Sequence, residues 1–241
     1  MSQLQGQQII VFGGSSGIGL AAAQTLLAAG ARVTAVGRSA DKLEAAARQA
    51  PGLTTAAVDA TDAEAVTRYF DQLDSFDHLV ITVGGGAPPT PFHEIDQARF
   101  RRSFDDKFWA QFAIAQAGSR KLRGSGSITF ITGAAARRAV PTMVPYAAVN
   151  GAIEAMVGPM ALALAPIRVN AVAPGIIDTP FWGGMPDAAR QGFFAQTGAK
   201  LPAGRVGKPE DVAGAVRYLV ENGFVTGTTL DVEGGLRHAS L

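Results

Sequence analysis

Two short stretches near the N-terminus carry residue types that suit phosphate chemistry. The first is Gly13-Gly-Ser15-Ser16-Gly17-Ile18-Gly19, which directly follows the apolar run Ile9–Phe12. Glycines at a strand-to-helix turn let the backbone come close to a phosphate with no Cβ in the way. The unpaired N–H groups and positive dipole end of the following helix then face the anion. The second stretch is Arg38-Ser39, at the end of the next apolar segment. In a dinucleotide fold that point meets the adenosine ribose, where an acidic residue binds a 2′-hydroxyl and an arginine accepts a 2′-phosphate. Gly37 precedes Arg38 and no acidic residue stands there, so the pair points to NADP(H).

The elements that must position these residues can be read from periodicity. Ile9–Phe12 is a continuous apolar run, as expected of a strand buried on both faces of a parallel sheet. Ile18–Ala29 reads as an alanine-rich helix closed by Gly30. Arg32–Val36 is a second strand, Asp41–Gln49 a helix and Thr54–Val58 a third strand. Thr61 or Asp62 caps a helix reaching about Gln72, and His78–Ile81 is the fourth strand. A long helical region follows from about Asp96 to Leu122, then a strand at Ser127–Thr132, a helix from about Pro145 to Leu164 and a strand at Ile167–Ala173. Pro159 lies inside that second helix, where it should remove one backbone bond and kink it. A helix at Pro209–Glu221 and a strand at Thr229–Val232 close the pattern. Alternating strands and helices at this interval predict an α/β doubly wound parallel sheet of about seven strands, as one dinucleotide-binding domain over 1–241.

Composition narrows the class further. With 241 residues, 47% of them apolar, the chain can bury a large core. Lys plus Arg (21) nearly balance Asp plus Glu (20), so no global field recruits nucleic acid or an anionic membrane. The absence of cysteine excludes disulfides, thiol nucleophiles and thiolate metal sites. His78, His93 and His238 form no ligand spacing, so no metal site is expected. The chain has no apolar run long enough to span a bilayer and no N-terminal leader pattern, which leads us to expect a cytoplasmic protein.

Several separated motifs, in order, resemble the short-chain dehydrogenase/reductase family over nearly the whole chain. They are the glycine turn at 13–19, Asp59-Ala60 after strand three, Gly84-Gly85 after strand four, and Tyr146. Ile167–Gly175 with Thr179, and Thr226-Gly227 with Asp231–Gly235, complete the set. The resemblance implies a Rossmann-type sheet, an Asp59 contact to adenine, and a nicotinamide carboxamide held near Ile177 and Thr179, with Pro174 and Gly175 as further cofactor contacts. It implies that Tyr146, also a cofactor contact, gives a proton to a substrate carbonyl as the nicotinamide delivers hydride. It also implies a homodimer or homotetramer built on the two long helices, and a substrate lid at about 180–205.

The resemblance breaks at the catalytic positions. Asn150 stands where the family has its lysine, Gly133 where it has its serine, and Lys107 where it has its asparagine. Gly13 replaces the opening threonine of the glycine motif, and Thr82-Val83 replace Asn-Ala before Gly84. Asn150 is either a ribose ligand without charge or a polar residue on a helix face. Backbone N–H groups of Gly133 or Ala134 can donate in place of the serine hydroxyl. Thr132 can do so only if the strand end twists, since neighbouring strand residues face opposite ways. Among five lysines, the other four fall in segments expected at the surface. Lys107 either supplies the missing charge to Tyr146 and lowers its pKa, or it faces solvent or pairs with Asp105 or Asp106. Phe181, Trp182, Phe193 and Phe194, with Gly183 and Gly184 as hinges, suit an apolar or aromatic substrate and equally suit packing within the lid. Arg137-Arg138 meet either an anionic group or solvent. The expectation is an NADP(H)-dependent oxidoreductase reducing a carbonyl compound; the alternative is an NADP-binding protein with little turnover, a sensor or assembly partner.

Overall fold

The computed structural model describes residues 4–84 and 89–239. Its centre is β1 (Gln8–Phe12), flanked by β2 (Arg32–Gly37) and β4 (Phe76–Ile81). Successive β1 side chains alternate between two cores: Ile9 and Val11 join one, Ile10 and Phe12 the other. That is why this strand reads as an unbroken apolar run. With β3 (Thr54–Ala57), β5 (Leu122–Ile131), β6 (Arg168–Pro174) and β7 (Thr229–Val232), the sheet is parallel throughout, in the order β3-β2-β1-β4-β5-β6-β7.

The first core packs α1 (Gly17–Ala28), α2 (Ala40–Gln49) and α8 (Pro209–Glu221) on the sheet through Ala22, Leu26, Leu43, Ala46, Val216 and Leu219. The second packs α3 (Ala63–Asp71), α5 (Ala110–Ser119) and α6 (Val144–Ala163) through Phe70, Ile114, Val149 and Ile153. Full burial of each leucine, valine, isoleucine or phenylalanine among them contributes about 1.5–3 kcal/mol. After β3 the chain crosses back to the other side of β1, so strand order reverses between β1 and β4. Ligands of such sheets bind outside the strands' carboxyl ends at that point.

The long helix expected over Asp96–Leu122 is built differently. It comprises α4 (Gln97–Ser103), a π-helical stretch Phe104–Trp109, and α5, and the chain is already in β5 at Leu122. The segment at about 180–205 also carries a helix that its composition concealed, α7 (Asp187–Lys200). Gly192 and Gly198 dilute the helical signal there, while Asp187 in the first turn and Lys200 in the last complement the dipole. Pro159 lies within α6, which continues to Ala163. Among the described residues no helix is long and apolar enough to cross a membrane.

Candidate active site

The glycine turn is shaped by contacts that allow no side chain. Gly13 has φ 80°, and a Cβ there would meet Thr82 Oγ1 at 2.4 Å. At Gly19 a Cβ would fall 2.2 Å from the Gly13 carbonyl oxygen. These approaches fold the turn tightly under the start of α1, leaving a backbone cradle of the kind that receives a pyrophosphate. Ser16 is the N-cap residue of α1, yet its side chain makes no capping bond, and Ser15 lies against Gly37. The turn also meets the far side of the crevice, since Thr179 Cβ lies 3.5 Å from where a Cβ on Gly17 would sit. Ile18 is half-buried at the first turn of α1.

Arg38 is exposed at the carboxyl end of β2 and forms no ion pair with a described residue. Ser39 caps α2 by accepting from the Lys42 N–H at 3.4 Å. Beside them, Asp59 Oδ1 accepts from the N–H and hydroxyl of Thr61 at 2.9 and 2.8 Å. These bonds, and more weakly the Arg38 charge, hold its carboxyl below the usual range. Ala60 follows at the same edge. Gly84 is exposed just beyond β4; Gly85 lies outside the described residues. Pro174 ends β6, and Gly175 packs so closely on Glu233 that a Cβ would meet its Cα at 2.8 Å. Ile177 is buried, and its carbonyl accepts from Trp182 Nε1 at 2.8 Å, which ties the aromatic segment to the strand end.

Tyr146 sits in the first turn of α6, half-buried, with the Phe181 ring edge-on at 6.3 Å. Burial pushes its phenol pKa up, and the charge that opposes this is that of Arg99. One turn later on the same helix, Asn150 is 3% exposed. Lys107 comes inward from the π-helical stretch, with 8% of its surface exposed, and donates to Asn150 Oδ1 at 2.6 Å and to the Thr132 carbonyl at 3.0 Å. Extra-residue turns of this kind re-aim a side chain and recur at functional sites. Burial lowers the Lys107 pKa to about 8, against the pull of the Glu154 carboxylate.

Five expectations are corrected here. Lys107 neither faces solvent nor pairs with Asp105 or Asp106, because the π-helical stretch turns it into the protein. It does not lower the Tyr146 pKa either; burial dominates that phenol. The Thr132 hydroxyl is not free to replace the serine: it is engaged by Glu154 Oε1 at 2.9 Å and the Val172 carbonyl at 3.2 Å. Arg137 and Arg138 are not free: Arg137 pairs with Glu154 and Asp231, each at 2.9 Å, and Arg138 donates to the carbonyls of Leu236 and Ala239. Lys121, expected at the surface, is half-buried and donates to the Leu73 carbonyl at 2.9 Å.

Three residues escaped the sequence reading. Gln111 is fully buried and donates to the carbonyls of Val83 (2.6 Å) and Ile131 (3.2 Å), fastening the ends of β4 and β5. Glu154 lies one turn beyond Asn150, and Arg99 is the cation nearest in effect to Tyr146. Only the amphipathic placement of Glu154, i+4 from Asn150, was visible beforehand. Trp182 packs on Phe181, Phe193 and Phe194 with centroids at 5.2, 5.1 and 5.9 Å, while Phe181 stays 63% exposed.

A family model described as enoyl-(acyl carrier protein) reductase matches residues 13–237. L-xylulose reductase of Homo sapiens is 34% identical, over 96% of this chain and 97% of its own. The chain belongs to the short-chain dehydrogenase/reductase family. A second family member, short-chain dehydrogenase/reductase ATR9 of Stachybotrys chlorohalonatus, is 32% identical over 98% of each chain. Among solved structures of the family, a small-chain dehydrogenase in complex with NADPH superimposes with a TM-score of 0.83. It is 33% identical, over 97% of this chain and 100% of that one.

Proposed function

We propose that this family member uses NADP(H) to reduce a ketone or aldehyde, with Tyr146 as the proton donor. The observation that carries this reading is the half-buried Tyr146 phenol under Phe181, on the helix face it shares with Asn150. NADPH, when bound, supplies hydride to the carbonyl carbon while the Tyr146 proton goes to the oxygen, giving an alcohol and NADP+. The glycine cradle suits the pyrophosphate and the unpaired Arg38 suits a 2′-phosphate, in keeping with a relative solved with NADPH. Gly84, Pro174, Gly175, Ile177 and Thr179 would line the nicotinamide side. A phenol whose pKa is raised stays protonated at neutral pH, as a general acid must.

Phe181, with Trp182, Phe193 and Phe194 behind it, would offer an aromatic cover to an apolar substrate. The assembly we propose is a homodimer or homotetramer through α4, α5 and α6, where Trp109 is 54% exposed. NADPH oxidation against a panel of aldehydes, ketones and quinones tests the activity, with Tyr146→Phe as control. Activity abolished in Tyr146→Phe supports it; NADPH binding with no turnover on any compound sinks it. That second outcome is the one favoured by the missing hydroxyl at Gly133, and it would make the protein an NADP-binding sensor or assembly partner.

A further inference from the structure

Resting on the carbonyl-reduction reading, we propose that the Asn150 side-chain amide is the second hydrogen-bond donor to the substrate oxygen, held in its orientation by Lys107. The orientation of the amide follows from its partners. An ammonium can only donate, so the atom 2.6 Å from Lys107 Nζ is the acceptor Oδ1. That leaves Nδ2, with two N–H groups, on the opposite side.

There it faces Gly133. A Cβ built on Gly133 would stand 3.0 Å from Nδ2, so the amide nitrogen borders the space into which a side chain at 133 would project. No described residue accepts from Nδ2, and it is not among the buried polar atoms left without a partner, so it retains accessible surface although the residue as a whole is 3% exposed. A donor so placed is open to an acceptor on an entering ligand. The spacing from Tyr146 to Asn150 is i to i+4, which puts both side chains on one helix face. A carbonyl oxygen that accepts from the phenol therefore lies on the face that the amide borders.

The glycine and the asparagine explain each other on this view. A serine at 133 would crowd Nδ2, and the amide does the hydroxyl's work from the neighbouring helix. Lys107 is a positioning residue here: it touches neither substrate nor cofactor and acts through Oδ1. It also polarises the amide, since a charge-assisted bond to the oxygen makes the N–H groups better donors. No covalent step is added, because Nδ2 keeps both protons throughout.

The test uses the full chain with NADP+ and acetophenone labelled with 13C at the carbonyl, read by isotope-edited infrared difference spectra, beside kcat and the NADPH dissociation constant. In the wild type the carbonyl band should move to lower frequency than in Tyr146→Phe. Asn150→Asp should lose part of the shift and lower kcat by about 10²–10³-fold, the cost of removing one such donor, with NADPH affinity unchanged. Gly133→Ser combined with Asn150→Ala should recover much of both, because the hydroxyl then has room. Lys107→Met should lower kcat with KM unchanged, and Lys107→Gln, which still donates to Oδ1 but carries no charge, should restore part of it.

An unchanged band in Asn150→Asp overturns the proposal while leaving Tyr146 as donor. Weaker NADPH binding with kcat and band intact overturns it too, and makes Asn150 a ribose ligand. A wild-type band identical to that of Tyr146→Phe, with no NADPH oxidation, removes the carbonyl reading and this proposal together.

Discussion

Lys107 Nζ lies 2.6 Å from Asn150 Oδ1, a contact between the π-helical stretch and α6 made wholly inside the protein. The family resemblance led us to expect asparagine at the first position and lysine at the second. On that expectation the two residue types change places across one contact, with a single buried ammonium between them. This predicts strong coupling. Asn150→Lys alone would bury two cations together and destabilise by about 3–5 kcal/mol, the scale for an uncompensated buried charge. Adding Lys107→Asn should recover most of that loss, with a coupling of about 1–3 kcal/mol. Urea unfolding of the two singles and the double checks it; strictly additive effects would show that the contact is incidental.

The pH dependence follows from the same lysine. Its pKa falls from 10.5 to about 8 because burial disfavours the charged form. Between those values the unfolded chain still holds a proton that the folded chain has released, so stability rises with pH across about 8 to 10.5. Turnover should move the other way, falling as pH rises through about 8, because the ammonium that polarises Asn150 is lost. Glu154→Gln removes the carboxylate that supports the charge and should shift that fall to lower pH. Unfolding free energies and kcat measured from pH 6 to 10.5 test both limbs, and Lys107→Met should flatten them.

Arg38 should decide the choice of nucleotide. It has no ion-pair partner among the described residues, so its guanidinium is available to a 2′-phosphate. Arg38→Ala should weaken NADPH binding at least about tenfold, or about 1.4 kcal/mol, while NADH affinity stays level. Calorimetric titration of both nucleotides reads the ratio directly.

Glycines at 19 and 151 should respond oppositely to alanine. At Gly19 the added carbon meets a backbone oxygen at 2.2 Å, so the turn must deform; a loss of about 1–3 kcal/mol and of NADPH binding is expected. At Gly151, inside α6, a Cβ meets nothing within 4 Å of the single chain. Alanine there should stabilise an isolated chain by about 0.5–1 kcal/mol. If α6 packs against α6 of a second copy, as proposed, the gain should vanish. Differential scanning calorimetry with light scattering on the same samples separates the two cases.

Trp109 gives a sharper handle on assembly. It is 54% exposed and packs edge-on to Phe108 and Phe112 at 4.9 and 5.9 Å, an aromatic surface on the helix that would face a partner. Trp109→Glu should lower the molar mass from a dimer or tetramer toward the single chain of 24.9 kDa. A wild-type protein that is already a monomer at micromolar concentration would remove the interface.

The sequence by itself determined the sheet and the glycine turn, because each rests on local physics. An apolar run such as Ile9–Phe12 can satisfy its backbone and bury both faces only inside a parallel sheet. Gly13 and Gly19 announce a turn that tolerates no Cβ, and the structure supplies the atoms that forbid it. Helix α8 and strand β7 fell where their caps and periodicity put them. Tertiary structure alone decided the rest. Whether Lys107 faced solvent or the interior depended on a π-helical turn, which has no pattern of its own because one extra residue re-aims every side chain after it. The hydroxyl of Thr132 could be assigned only once Glu154, distant in sequence and adjacent in space, was there to receive it. The amide of Asn150 acquired a direction from a charge 43 residues away, and no reading of α6 in isolation contains that charge.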